Sequence, residues 1–99
     1  MVRVLTRERS EKITKQETLF TLEERSAKSV SITGDFNRWS PTENPMRKER
    51  NGVWSTQISL RPGTDQYKFV VDGIWREDPR AGASAENPFG TRNSVITVR

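Results

Sequence analysis

From Glu17 onward, apolar and polar residues alternate in short runs separated by turn-forming residues. This period-two pattern predicts strands over Glu17 to Leu22, Ser29 to Thr33, Met46 to Arg50, Val53 to Leu60, Gln66 to Val71, Ile74 to Arg76 and Ser94 to Val98. Between them stand Gly34, Asn51-Gly52, Arg61-Pro62-Gly63, Asp72-Gly73 and a long loop from Asp78 to Asn93. Asn-Gly and Asp-Gly pairs tolerate the positive φ that tight hairpins need. About seven short strands at this spacing predict an all-β fold, an antiparallel immunoglobulin-like sandwich. Alternation also assigns faces. Tyr67, Phe69 and Val71 share one face and are expected in the core, with Lys68 and Val70 on the other. Trp54, Thr56, Ile58 and Leu60 form a second core-facing row, which makes Trp54 a structural residue.

Length and composition narrow the picture. At 99 residues there is room for one domain with a modest core. Residues 1–16 hold few large apolar side chains and are read as a basic leader, with residues 17–99 as the sandwich. Five of the seventeen basic and two of the thirteen acidic residues lie in that leader, so the net charge of +4 falls to +1 over the rest. A solvated basic tail accounts for this better than a nucleic-acid arm, and no nucleic-acid partner is expected. No run approaches the roughly 20 apolar residues that span a bilayer, and the N-terminus lacks the apolar stretch of a signal peptide. A cytoplasmic protein without membrane contact is therefore expected. Met1 opens the leader and Val98 ends the last strand, which favours a short, complete gene product.

Cys and His are both absent. That removes disulfides, thiolate metal sites, the commonest metal ligand and the commonest general base. Neither metal nor cofactor is expected. Asp72, Glu77 and Asp78 lie close in sequence, but glycoside hydrolysis needs two carboxylates held about 5–10 Å apart across a bound sugar. Asp72 belongs to a hairpin turn and Asp78-Pro79 starts another, so turn roles are expected and catalysis is not. Trp39 and Trp75 are more informative, because both fall beside turns, where a large apolar ring is costly unless it covers the core or meets a ligand. Sugar rings offer apolar C–H faces to an indole, and their hydroxyls seek hydrogen bonds. On this argument alone, one Trp capping the core competes equally with both meeting a ligand.

Four stretches in order carry a family resemblance: Ile32-Thr33-Gly34-Asp35-Phe36-Asn37-Arg38-Trp39-Ser40; Gly52-Val53-Trp54-Ser55 with Leu60-Arg61-Pro62-Gly63; Gln66 through Trp75 with Asp78-Pro79; and Phe89-Gly90-Thr91-Arg92-Asn93-Ser94-Val95-Ile96. Any one is a weak signal, but the ordered set covers about residues 17–99. The chain resembles carbohydrate-binding module family 48, found in the β subunit of AMP-activated protein kinase and as the N-terminal module of isoamylase and branching enzymes. The resemblance implies non-catalytic binding of α-1,4-linked glucan of the glycogen or starch type. It implies stacking by Trp39 and Trp75, a hydrogen bond from Lys68, and further hydrogen bonds from Thr91 and Asn93.

Phe89 stands where the kinase-type modules carry a Leu that projects into the bound sugar chain. Its ring either meets the ligand or folds back to close the core. The rival reading of the whole chain is a regulatory module that keeps the fold and docks on a glycogen-metabolising enzyme or kinase.

Overall fold

The computed structural model describes residues 15–99 and contains eight strands among them. The leader expected over residues 1–16 lies outside the described residues except for its last two. Strand β1 (Gln16–Glu23) runs antiparallel to β4 (Val53–Leu60) along its whole length, from Gln16 opposite Leu60 to Glu23 opposite Val53. The short β3 (Arg47–Lys48) pairs with the other edge of β4, completing a three-stranded sheet. The second sheet has the order β2 (Val30–Gly34), β5 (Gly63–Val71), β8 (Arg92–Val98), β7 (Ala83–Glu86). Strand β6 (Ile74–Arg76) pairs with residues 69–71 of β5, on the edge that β8 occupies at residues 63–67. The fold is thus an all-β sandwich of two antiparallel sheets.

The core lies where the predicted rows meet. Phe20 and Leu22 of β1 and Trp54, Ile58 and Leu60 of β4 face Val30 and Ile32 of β2 and Tyr67, Phe69 and Val71 of β5; all are buried. Phe20 and Tyr67 interlock edge-on across the two sheets with centroids 5.0 Å apart, and Tyr67 meets Phe69 in the same way at 6.0 Å. Trp54 is structural as expected, its indole N–H donating to the Glu24 carbonyl at 2.9 Å. The Tyr67 hydroxyl donates to Asp78 Oδ2 at 2.6 Å. Burial, followed by that hydrogen bond, pushes the Tyr67 phenol far above the usual range.

The strands depart most from the sequence reading in three places. β5 begins at Gly63 rather than Gln66, because the polar Thr64 and Asp65 still pair with Thr97 and Ile96 of β8. The predicted strand from Met46 to Arg50 shrinks to two residues. The long loop from Asp78 to Asn93 contains β7, whose Ala-Ser-Ala-Glu carries no β-branched or aromatic residue and is held as a strand by pairing with β8. Eight strands therefore replace about seven.

The turns follow their sequence chemistry. Asp72 and Gly73 both adopt positive φ, 48° and 84°, in the two-residue turn joining β5 to β6. Asp72 Oδ1 also accepts the backbone N–H groups of Lys28 and Ser29 at 2.8 and 2.9 Å. The Ser29 bond first, then the Lys28 bond, holds this carboxyl below its usual range. Gly34 has an extended backbone, but a Cβ there would collide with the Gln66 carbonyl oxygen and sit 2.9 Å from both Phe36 Cε2 and Tyr67 Cβ.

Two predictions follow from these contacts. Gly34→Ala is expected to lower the denaturation free energy by about 1–3 kcal/mol or more, because a backbone carbonyl cannot rotate away as a side chain can; urea titration measures it. For Asp72, a folded-state pKa below the unfolded one stabilises the fold above the ordinary Asp value of about 4 and loses that contribution as pH falls toward the lower value. The urea midpoint of the native protein should exceed that of Asp72→Asn at neutral pH, with the gap closing in acid. A gap independent of pH would refute the role given to the charge.

Candidate functional site

Residues directly opposite one another on paired strands share a face. The outer face of the second sheet is therefore built on Gln66, Lys68 and Val70 of β5, the alternates of the core row. Thr33 lies beside Lys68, Trp75 beside Val70, Val95 beside Gln66, and Asn93 beside Ala85. Two loops rise over this face: the one after β2 carries Trp39, and the β7–β8 hairpin tip carries Phe89 and Thr91.

The first loop is held tightly. A 3-10 turn at Asp35–Asn37 is followed by Arg38 and Trp39, both left-handed with φ of 58° and 60°. Two consecutive non-glycine residues there cost about 1–2 kcal/mol each. The buried Asn37 offsets this. Its Oδ1 accepts the Gly34 N–H at 3.0 Å, and its Nδ2 donates to the Ile32 carbonyl at 3.1 Å and to Asn44 Oδ1 at 2.8 Å. Asp35 then fixes the indole. Its Oδ1 accepts Trp39 Nε1 at 3.0 Å while its Oδ2 accepts the Gln66 backbone N–H at 2.7 Å. With its N–H engaged, Trp39 offers a ligand its ring face. Trp39 and Trp75 lie nearly parallel, 17° apart with centroids at 6.4 Å. Neither ring belongs to the core cluster, and Trp75 is exposed.

Asn87 organises the second loop. Its Oδ1 accepts the N–H groups of Phe89 and Thr91 at 3.0 and 3.2 Å. Its Nδ2 donates to Thr91 Oγ1 at 2.8 Å and to Asn93 Oδ1 at 2.9 Å. Gly90, at φ 82°, completes the turn. The tip is tied to β5 where Lys68 Nζ donates to Thr91 Oγ1 at 3.1 Å and Asn93 Nδ2 donates to Gln66 Oε1 at 2.9 Å. Thr91 Oγ1 thus accepts twice, which leaves its hydroxyl proton to donate outward. Lys68 sits on the outer face as alternation predicts, but beneath the tip it is only 9% exposed. Phe89 is 88% exposed, so it does not close the core.

All six sequence-predicted site residues, Trp39, Lys68, Trp75, Phe89, Thr91 and Asn93, line one cleft of about 700 Å3. Asp35, Gln66 and Asn87 also line it and are missing from the sequence-based set. Asp35, four residues before Trp39, and Asn87, before a Pro, carried the available signals: short polar side chains at loop positions where they bond local backbone. Nearby, burial and then the Asp35 charge raise the Asp65 carboxyl above its usual range. Two of the three carboxylates near Trp75 have structural partners: Asp72 binds the Lys28 and Ser29 amides, while Asp78 binds the Tyr67 hydroxyl and the Arg80 N–H.

The family described as the glycogen recognition site of AMP-activated protein kinase matches residues 16–99. The chain belongs to this family of glycogen-recognition modules. The resemblance to carbohydrate-binding module family 48 is accordingly upheld. Among its relatives, Protein PTST homolog 2, chloroplastic, of Arabidopsis thaliana is 48% identical over 54 residues, 54% of this chain and 10% of the relative. Protein FLOURY ENDOSPERM 6, chloroplastic, of Oryza sativa subsp. japonica is 36% identical over 81 residues, 82% and 15% of the two chains. The human 5'-AMP-activated protein kinase subunit beta-2 is 40% identical over 72 residues, 73% and 25%. The matches thus span from a tenth to a quarter of these curated relatives. Two of these relatives are chloroplastic, which overturns the expectation of a cytoplasmic protein.

Asn87→Ala is predicted to loosen the hairpin tip without unfolding the sandwich. Amide exchange at Phe89 and Thr91 should accelerate while Phe69 and Ile32 stay protected. Uniform acceleration would mean that Asn87 supports the whole fold rather than the tip.

Proposed function

We propose that the chain is a non-catalytic module that binds α-1,4-linked glucan of the glycogen or starch type in the cleft between Trp39, Trp75 and the β7–β8 tip. The observation that carries this reading is the convergence of two near-parallel indoles with a Lys68–Thr91 hydrogen-bond pair in one open cleft of a glycogen-recognition family member. Indole faces take the apolar sides of the sugar rings, and the outward Thr91 hydroxyl and the remaining N–H groups of Lys68 meet sugar hydroxyls. Phe89 adds a third apolar surface at the rim.

A plastid location, favoured by the two chloroplastic relatives, makes starch the storage glucan that the module meets. Docking on a glycogen-metabolising enzyme or kinase has the kinase-subunit relatives behind it, but no surface feature among the described residues favours it over the cleft.

An open cleft with two stacking rings and a few water-competing hydrogen bonds supports modest affinity. The expected Kd for maltoheptaose is on the order of 10 µM to 1 mM, about −4 to −7 kcal/mol. Calorimetric titration against glycogen, soluble starch, β-cyclodextrin and a cellulose oligosaccharide tests the reading. Binding to the three α-glucans, lost in Trp39→Ala and Trp75→Ala proteins that still unfold cooperatively, is the expected result. Equal binding to cellulose fragments, or none to any α-glucan, would overturn it.

A further inference from the structure

A second concavity of about 510 Å3 lies on the same outer face, beyond Trp75. Its floor includes the buried Ser31 and Val70, and its rim includes the exposed Pro41, Thr42 and Pro45. Trp75 lines both clefts, whereas Trp39 lines only the first. The floor of the two is one row: Gln66 and Lys68 lie under the first cleft and Val70 under the second, a run of about 13 Å at strand rise. The loop from Trp39 to Met46 flanks this row on the β2 side. It is fastened there by the Ser31 hydroxyl donating to the Pro41 carbonyl at 2.6 Å, by Ile32 N–H donating to the Asn44 carbonyl at 3.1 Å, and by Met46 N–H donating to the Val30 carbonyl at 2.8 Å. The second cleft is therefore walled by a held loop.

We infer that the second cleft is a further subsite for the same glucan chain, so that the ligand runs across Trp75 instead of ending at it. This rests on the α-glucan reading of the first cleft. The physical case is continuity. A polymer stacked on Trp75 must leave the first cleft, and on one side its path lies over Val70, alongside the rings of Pro41 and Pro45. Those rings present C–H faces, and the Thr42 hydroxyl stands at the rim, the same mix of apolar face and hydroxyl that serves a sugar in the first cleft. Among the described residues no charged side chain lines this concavity, which suits an uncharged carbohydrate.

The test compares calorimetric Kd values for maltotriose, maltoheptaose and a long amylose fragment on the native protein and on Thr42→Arg. Thr42 is exposed, and among the described residues its side chain makes one hydrogen bond, with the Ser40 hydroxyl at 3.5 Å, so the variant keeps the fold while a long charged chain fills the subsite. The native protein should bind the amylose fragment about tenfold or more tighter than maltoheptaose. Thr42→Arg should erase most of that advantage and leave the maltotriose Kd unchanged. Equal affinity for maltoheptaose and amylose, or an advantage that survives in Thr42→Arg, overturns the extension while the first cleft stands. Failure of every α-glucan to bind the native protein overturns the first-cleft reading and the extension together.

Discussion

Strand β5 is packed on both faces at once, and the rest of the molecule is arranged around that demand. Tyr67, Phe69 and Val71 point into the core, while Gln66, Lys68 and Val70 point into the clefts. A shift of one residue in its pairing would exchange the two rows, placing a lysine among Phe20, Ile32 and Leu60. Pairing with β2 on one edge and with β8 and β6 on the other blocks such a shift. The close approach of Gly34 to the Gln66 carbonyl adds a steric pin at the point where β2 leaves the sheet. Core stability and site geometry are therefore two outcomes of one register.

The loops over the outer face are pre-shaped by short polar side chains, and this matters because the cleft is shallow. An open carbohydrate site gains little from each contact, so any ordering required on binding would consume much of the gain. Asn37 supports the left-handed Arg38 and Trp39, Asp35 orients the indole, and Asn87 draws the hairpin tip into a compact turn. Each bonds to backbone and to one or two neighbouring side chains, so rigidity is obtained without a second core. Trp39 stays outside the core cluster because such a bond, and not burial, holds its indole, while Trp75 is placed by the pairing of β6 with β5.

Much of this was legible in the chain, for reasons that can be named. The strands Val53–Leu60 and Ile74–Arg76 match their predicted bounds because strong alternation ends at Gly or at charged residues. β7 was not legible, since Ala83, Ser84, Ala85 and Glu86 have no strand preference of their own and acquire it only from β8. Among the site residues, Trp39 and Trp75 stood out as large rings beside turns, and Lys68, Phe89, Thr91 and Asn93 through the family resemblance. Asp35 and Asn87 did not, because aspartate and asparagine in loops serve ordinary turns far more often than they support a site.

The sequence by itself determined the all-β class, the inward and outward rows of β4 and β5, the hairpin at Asp72-Gly73 and the six residues singled out by family resemblance. These are local properties: a period of two, a residue's tolerance of positive φ, an ordered motif. Only the tertiary structure decided that Trp39 lies parallel to Trp75, that Lys68 is covered by Thr91 rather than free in solvent, that Phe89 stays off the core, and that Trp75 separates two clefts on one floor. Such facts join distant segments: Trp39 and Trp75 stand 36 residues apart in the chain, and Lys68 and Thr91 stand 23 apart. Local pattern carries no information about such distances until strand pairing closes the loops between them.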